Sequence, residues 1–275
     1  MDNKKNKPKR LKYRFSIIFF GTVLIFGIVF YNYMKTTTLE DVLLNQTIQN
    51  ELVDNDQEST TQITEVKVEK PKVIVNPVPE SNKADSEYLN NCVFIGDSLT
   101  YGLSTYGLVP ANSVYASISM NVAKAETTQI DTQYGKITAL EALQQRNPEN
   151  VYILLGSNGV AYMTVSDMYQ SYSDFVTKVQ GVCPDANICL ISVPPVTADR
   201  EVSKESPISN TDIIEFNQRI LDFANAKGYY YLDLHSATAN ENSALIEEYA
   251  ENDGLHFNLK AYEAFVEYIL THTIG

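Results

Sequence analysis

The sequence predicts an α/β domain over residues 86–275, built on a parallel sheet that helices cover on both faces. The first observation is a set of five short apolar runs, as expected for strands buried on both sides. The second is that helical spacing of apolar residues appears between those runs. Strands that alternate with helices favour a three-layer α/β/α arrangement. The five runs are 91–95, 113–117, 151–155, 188–193 and 229–234.

Two of the predicted helices cover 165–179 and 213–224, where apolar residues recur every three or four positions. A last helix should begin after Asn258, whose side chain suits an N-cap. In sheets of this kind, sites form at the carboxyl ends of the strands. Residues that directly follow the apolar runs are therefore the first candidates for a functional site. The apolar face of the last helix is Tyr262, Phe265, Val266 and Ile269.

The first 34 residues have the pattern of a membrane anchor. Residues 1–14 hold seven Lys or Arg and one acid, Asp2, and residues 15–34 hold no charge. An uncharged helix of that length extends about 30 Å, the thickness of a bilayer's hydrocarbon core. Because basic flanks stay in the cytoplasm, we predict a cytoplasmic tail at 1–14, a transmembrane helix at 15–34 and an extracytoplasmic remainder of the chain. A cleaved signal peptide is disfavoured, since bulky residues end the apolar run.

Residues 35–85 are predicted to be a disordered, extracytoplasmic linker. Polar and acidic residues dominate 50–64, and Pro71, Pro77 and Pro79 follow. Proline disfavours helices and central strands and favours extended chain.

The charge balance and the cysteines limit the partners and cofactors. Outside residues 1–14 the chain has 14 basic and 33 acidic groups, a formal charge of 14 − 33 = −19. We expect no nucleic-acid partner, because phosphate contacts need clusters of Lys and Arg, and no obligate protein partner is evident. Cys92, Cys183 and Cys189 lack metal-ligand spacing. Cys183 and Cys189 are either buried free thiols or a disulfide pair.

The first apolar run leads into Gly96, Asp97 and Ser98. A serine between a strand and a helix presents its hydroxyl at the carboxyl edge of the sheet, beside helix N–H groups that can stabilise an oxyanion. Serine needs a nearby base to act as a nucleophile. Alone, this serine is equally an ordinary N-cap or turn residue, and Asp97 is expected to hydrogen-bond to local backbone.

Two later segments supply complementary groups. Asn158 lies in the Gly-Ser-Asn-Gly segment 156–159, after the third run, and its amide can donate toward the same edge. Asp253 and His256 lie just before the last helix. A carboxylate there can orient the imidazole, whose other nitrogen serves as a base. Taken singly, these segments are also compatible with an Asn-Gly turn and an exposed loop.

Together, the order and spacing of the Gly-Asp-Ser-Leu segment 96–99, Asn158 and the Asp-Gly-Leu-His segment 253–256 resemble the SGNH hydrolases, also called the GDSL family. The resemblance covers about residues 85–275. It implies a flavodoxin-like fold, ester hydrolysis, and no metal or organic cofactor. It matches Ser98 with the nucleophile, Asp253 and His256 with the rest of a triad, and Asn158 with an oxyanion-hole residue.

Two departures from the family pattern matter. The family usually has a glycine after its second strand, but 116–121 contains none and Ser119 is the best positional match. The N–H of Ser119 could complete an oxyanion hole with Ser98 and Asn158, although a residue with a Cβ resists positive φ. Gly159 stands where many members have an aspartate. The Gly-Ser-Asn-Gly and Asp-Gly-Leu-His segments look like those of cell-surface members of the family, including members that act on O-acetyl groups of peptidoglycan.

The predicted function is that of a serine esterase acting on ester-linked acyl groups, O-acetyl groups included, of a carbohydrate or another extracytoplasmic substrate. His235, near Asp233, is a rival base without the downstream helix, and His272 lies in the terminal tail. An acyltransferase would use the same residues, and a catalytically idle glycan-binding module is a third possibility. The pattern does not define the acyl chain length or the alcohol.

Overall fold

The computed structural model describes residues 74–204 and 208–275. The described residues belong to one compact unit, Lys70–Gly275. The predicted cytoplasmic tail at 1–14, the membrane anchor at 15–34 and most of the linker at 35–85 lie outside the described residues. Among the described helices, none has the length and apolar character needed to cross a bilayer.

The described residues form seven strands, and five of them make one parallel sheet. These are β1 (Cys92–Gly96), β2 (Val114–Ala116), β3 (Gln129–Thr132), β4 (Gly135–Thr138), β5 (Asn150–Leu154), β6 (Asn187–Ile191) and β7 (Tyr230–Leu232). The parallel sheet has the order β2-β1-β5-β6-β7. With the β3–β4 hairpin left out, this is the flavodoxin-like order 2-1-3-4-5. The five predicted strands are confirmed.

Helices follow the strands as the periodicity predicts. They are α1 (Ser98–Thr105), α2 (Ala139–Arg146), α3 (Val165–Val182), α4 (Ala198–Glu201), α5 (Asn210–Lys227), α6 (Leu234–Thr238) and α7 (Leu259–Thr271). Helices α3 and α5 are those predicted at 165–179 and 213–224. The side chain of Asn258 accepts a hydrogen bond from the Ala261 N–H, as predicted for the N-cap of α7. Short 3₁₀ turns occupy Ser86–Asn91, Ala111–Ser113 and Glu247–Tyr249.

The sheet separates two apolar cores. Alternate side chains of β1 point to opposite faces, so Ile95 packs in the core under α2, α3 and α5, and Phe94 packs in the core under α1 and α7. Phe216 of α5 and Phe265 of α7 are buried in these two cores. Each fully buried side chain of this size contributes about 1.5–3 kcal/mol. The three-layer architecture is confirmed.

The folded domain begins earlier than residue 86, the boundary that the sequence predicts. Val78 is buried, and its N–H donates to Tyr231 O at 2.8 Å along the outer edge of β7. The Asn76 amide brackets the same edge, donating to Tyr229 O at 2.8 Å and accepting from the Tyr231 N–H at 2.7 Å. Ala84 N–H donates to Leu270 O at 2.8 Å. An edge strand leaves backbone groups unpaired, and residues 74–85 cover part of this one.

The β3–β4 hairpin is a second feature that the sequence pattern does not predict. Its strands pair Gln129 with Thr138 and Asp131 with Lys136. Among the residues of β3, only Ile130 is buried. A strand with so little apolar alternation gives almost no period-two signal.

The three cysteines are all buried and free, so the disulfide alternative is not realised. Burial raises the pKa of the Cys92 thiol to about 12. A buried, protonated thiol is chemically inert, and these side chains fill the cores.

Candidate active site

Ser98 lies at the carboxyl end of β1, on the first residue of α1. Gly96 makes the sharp passage from strand to helix possible, because a Cβ there would lie 2.0 Å from Leu154 O and 2.1 Å from Thr100 Oγ1. Asp97 is the N-cap, with Oδ1 accepting from the Leu99 N–H at 3.1 Å, as the sequence predicts. The first N–H groups of a helix have no intrahelical acceptor, so the Ser98 N–H is available beside its own hydroxyl.

His256 connects Ser98 to Asp253. Its Nε2 lies 2.9 Å from Ser98 Oγ, and its Nδ1 lies 2.5 Å from Asp253 Oδ2. The other carboxylate oxygen of Asp253 accepts from the Leu255 N–H at 3.0 Å and the His256 N–H at 2.9 Å. The structure thus brings together three side chains, two from the loop before α7 and one from the first residue of α1, in a single hydrogen-bonded line.

The loop that carries Asp253 and His256 is fixed by its backbone. Gly254 has a φ of 68°, and a Cβ there would lie 2.3 Å from Thr197 Oγ1. Its carbonyl accepts from the Thr197 N–H at 2.9 Å. The Glu251 N–H donates to His256 O at 2.8 Å and closes the loop. Glycine adopts this left-handed conformation without strain, which explains why position 254 is a glycine.

The carboxylate of Asp253 is held in its charged form. Partial burial raises its pKa, but hydrogen bonds from the side chain and backbone of His256 and from the Leu255 backbone outweigh that effect, and the net pKa lies below its usual value. The side chains of Asp253 and His256 remain 46% and 39% exposed, so the imidazole is open to solvent and to a substrate.

Asn158 contacts the loop that follows β2. Its Nδ2 donates to Ile118 O at 3.0 Å and to Met120 O at 2.9 Å, which are the carbonyls on either side of Ser119. Both N–H bonds of the amide are therefore used, and neither is free for an oxyanion in this structure. The sequence does not predict these two hydrogen bonds.

The Ser119 N–H makes no hydrogen bond with any other described residue. Ser119 is also absent from the residues with positive φ, so the expected conflict between its Cβ and the backbone does not arise. Ser117 N–H donates to Gly96 O at 3.2 Å, which ties this loop to the end of β1, two residues before Ser98. Asn158, Ser119 and Ser98 thus lie at one edge of the sheet.

The carboxyl group of Asp97 is also buried away from solvent, which raises its pKa. Its side chain is completely buried, and Oδ2 makes no hydrogen bond of normal geometry, like the nearby buried Oγ of Ser157. Burial raises the pKa of Asp97 to about 6, although the Leu99 and Gly156 N–H groups, the Ser157 hydroxyl and the charge on His256 act in the opposite direction.

The two other histidines lie elsewhere. His235 is buried on α6, its Nε2 has no hydrogen-bond partner, and burial lowers its pKa, with Asp233 acting in the opposite direction. His272 lies 2.9 Å from Tyr268 O through its Nδ1, at the end of α7. Neither makes a hydrogen bond to Ser98. In the described ranges, no group of three His, Cys, Asp or Glu side chains is arranged to hold a metal ion.

Within the described ranges, a hairpin cleft and an acidic cleft lie near these residues. The hairpin cleft, of about 630 Å³, lies between α1, the loop after β2 and the β3–β4 hairpin, and includes Ser119. The acidic cleft, of about 430 Å³, lies behind Asp253 and is lined by Asp199, Arg200, Glu247 and Glu251 among others. Only the hairpin cleft adjoins the loop beside the nucleophile.

Residues 94–264, more than half of the chain, match the model of the GDSL-like Lipase/Acylhydrolase family. A Streptococcus pneumonia structure described as a candidate platelet activating factor is 19% identical, with a TM-score of 0.52 over 67% of this chain and 88% of that one. A candidate acylhydrolase from Bacteroides fragilis is 16% identical, with a TM-score of 0.50 over 70% and 88%. At these identities the structures support the fold alone. No curated protein sequence matches. The family match and the fold agree, and the chain belongs to the GDSL-like lipase/acylhydrolase family of carboxylic ester hydrolases.

Proposed function

We propose that Ser98, His256 and Asp253 are the catalytic triad of this ester hydrolase. The observation that carries the proposal is the continuous line from Ser98 Oγ to His256 Nε2 at 2.9 Å and from His256 Nδ1 to Asp253 Oδ2 at 2.5 Å. A base within hydrogen-bond reach is what a serine hydroxyl needs to become a nucleophile, and a carboxylate behind that base fixes its tautomer and stabilises its cation.

The reaction proceeds in two symmetrical halves. His256 Nε2 takes the proton of Ser98 as Oγ bonds to the ester carbonyl carbon, and the carbonyl electrons move onto oxygen. Collapse of this intermediate breaks the bond to the alcohol, which leaves with the proton from His256. Water then attacks the acyl-serine, giving its proton to His256, and the carboxylic acid leaves as Ser98 regains its proton.

The oxyanion is proposed to rest on the N–H groups of Ser98 and Ser119. Both are unpaired within the described structure, and the helix N-terminus at Ser98 favours negative charge. Asn158 supports this site by holding the carbonyls on both sides of Ser119. Direct donation by Asn158, as the family resemblance suggests, requires one of those two bonds to be released.

The proposed substrates are acyl esters, including O-acetyl esters, of a carbohydrate outside the cytoplasm. The location rests on the basic residues of 1–14 and the uncharged segment 15–34. The proposed arrangement is a single-pass protein of the cytoplasmic membrane with its N-terminus inside.

A chromogenic acetyl ester tests the triad. Ser98→Ala and His256→Ala should each lower kcat/KM by about 10⁴-fold or more, and the double variant should be hardly worse, since the residues act as a unit. His235→Ala is the matched control and should keep its activity. Circular dichroism should show that all variants are folded. Loss of activity in His235→Ala with activity kept in His256→Ala would refute the assignment of the base.

The same assay separates the alternatives. A binding module would give no turnover with any ester. An acyltransferase would form acylated product when an oligosaccharide acceptor is added, at the expense of free acetate. The proposed hydrolase should release one acetate per ester cleaved whether or not the acceptor is present.

A further inference from the structure

Polar side chains of the β3–β4 hairpin line one side of the hairpin cleft. Its walls are Tyr101 and Ser104 of α1, the 117–119 segment after β2, and one face of the β3–β4 hairpin. Gln129 and Asp131 are two positions apart on β3, so they share a face, and Lys136 is directly opposite Asp131 on β4. All three line the cleft and are exposed.

Three polar side chains of the hairpin that line this cleft have unused hydrogen-bonding groups. The side chains of Gln129, Asp131 and Lys136 make no hydrogen bond to any other described residue, and Asp131 and Lys136 do not form an ion pair although they are cross-strand neighbours. Together they offer an amide that donates and accepts, a carboxylate that accepts and an ammonium that donates. Such a set is available for a ligand with many polar groups.

The cleft also presents an aromatic face. Tyr101 is 44% exposed, and it lies one helical turn after Ser98, on the same side of α1. An exposed tyrosine combines a flat apolar face with a polar tip. The C–H face of a sugar ring packs on such a surface while its hydroxyls reach the neighbouring polar groups.

The position of the cleft connects it to the reaction. Ser119 is part of its wall, and the loop carrying Ser119 is tied to Gly96 at one side and clamped by Asn158 at the other. A group held in the cleft therefore lies beside Ser119, whose N–H is proposed to bind the oxyanion of the ester. This step rests on the proposed triad and oxyanion site.

We infer that the hairpin cleft is a subsite for a polyhydroxylated ring, the sugar that carries or neighbours the esterified hydroxyl. The lining also includes the exposed side chain of Ile118, which adds apolar surface for the C–H face of a ring. A long acyl chain would cover Gln129, Asp131 and Lys136 without offering them a polar partner, which is costly. The ring packs on Tyr101, and Gln129, Asp131 and Lys136 bind its hydroxyls. The hairpin, which is peripheral to the parallel sheet, sets the specificity for the alcohol half of the ester.

The test compares two substrates of one enzyme. For each variant, kcat/KM is measured on O-acetylated disaccharides of glucose, xylose and N-acetylglucosamine and on 4-nitrophenyl acetate, and the ratio of the two values is the readout. Tyr101→Ala and Asp131→Asn should each lower this ratio about tenfold for the preferred disaccharide, mainly through KM. Tyr162→Ala, an exposed tyrosine outside the cleft, and Asp185→Asn, beyond the amino end of β6, are the matched controls and should leave the ratio unchanged.

The outcomes distinguish the subsite from the triad. A wild-type enzyme that cleaves 4-nitrophenyl acetate but none of the acetylated disaccharides, or cleft variants with unchanged ratios, would overturn the subsite and leave the triad standing. Binding of the unacetylated disaccharides to Ser98→Ala is measured separately by calorimetry. Binding that Tyr101→Ala weakens supports the subsite even if no ester is hydrolysed, and in that case only the proposed function fails.

Discussion

Asp97 shows how one residue at the site serves local structure at a cost in stability. Its Oδ1 caps α1 by accepting from the Leu99 N–H. The carboxyl group is nevertheless fully buried, and its Oδ2 has no hydrogen-bond partner of normal geometry. Because its folded pKa, about 6, exceeds the usual 3.8, the folded protein binds more protons than the unfolded chain between these values. The contribution of Asp97 to stability is therefore greatest below pH 4 and is lost as the pH rises to 6.

Asp97→Asn should remove this pH-dependent loss. Asparagine keeps an oxygen for the Leu99 N–H but carries no charge to desolvate, so the free energy of unfolding should rise at pH 7. A shift of about 2 pKa units sets an upper limit of about 3 kcal/mol. The measurement is urea unfolding of both proteins from pH 4 to pH 8. The difference should vanish near pH 4, and a difference independent of pH would contradict the explanation.

Asn158 and Ser119 should respond differently to truncation. Asn158→Ala removes the two bonds that hold the Ile118 and Met120 carbonyls and so displaces the Ser119 N–H. We expect kcat to fall by up to about 10²–10³-fold, the cost of losing one oxyanion-hole donor. Ser119→Ala keeps the backbone N–H and should change kcat by less than threefold. Steady-state kinetics on an acetyl ester measure both. Unchanged kinetics in Asn158→Ala would remove it from the oxyanion site, and a large loss in Ser119→Ala would implicate the Ser119 hydroxyl.

The residues of the line from Ser98 to Asp253 were predictable because each lies in a short motif directly after a strand or before a helix. The motifs do not show which acceptors their hydrogen-bond donors contact in the folded protein. Whether the Asn158 amide faces a ligand or the Ile118 and Met120 carbonyls depends on where a distant loop lies. The burial of Asp97 likewise results from packing between α1 and the segment after β5.

Among the elements, the segment 74–85 has the clearest measurable consequence. It pairs with the exposed edge of β7 and with the end of α7 through Asn76, Val78 and Ala84. A protein that starts at residue 86 should lose these bonds and the burial of Val78. We expect its thermal midpoint to fall by about 5 °C or more, corresponding to roughly 1–2 kcal/mol at this size.

A protein that starts at residue 74 is the matched control for this truncation and should unfold at the midpoint of one that starts at residue 35. Calorimetry gives both midpoints. Equal stability of the proteins starting at 74 and 86 would mean that the edge contacts contribute nothing. Aggregation of the shorter protein alone would agree with an uncovered β7 edge.

The strands of the parallel sheet were predictable because they are buried on both faces and read as continuous apolar runs. The hairpin and the 74–85 segment give no such signal. Gln129–Thr132 buries one side chain, and the segment around Pro77 and Pro79 resembles a linker in composition. The 74–85 segment is held by Tyr229, Tyr231 and Leu270, residues far away in the chain, and composition and periodicity do not report such contacts.

At the scale of the whole molecule, charge and apolar pattern divide the chain. Seven positive residues precede the uncharged segment 15–34, and the remainder has a formal charge of −19. Basic residues are retained on the cytoplasmic side of a membrane. The proposed topology therefore places residues 74–275 outside the cell membrane, connected by the polar, proline-containing sequence 35–73.

This topology predicts which bonds an external protease reaches. On intact cells, a protease added outside should release a fragment close in size to residues 74–275, because compact folded chain resists cleavage and the proposed linker, residues 35–73, has a polar composition. The fragment should keep its esterase activity, since the triad lies wholly within it. Immunoblotting of the medium and the cells measures the release, and an intracellular protein that stays intact is the control for lysis. Release that occurs only after the cells are broken would reverse the orientation, and with it the proposal that the substrate lies outside the cytoplasm.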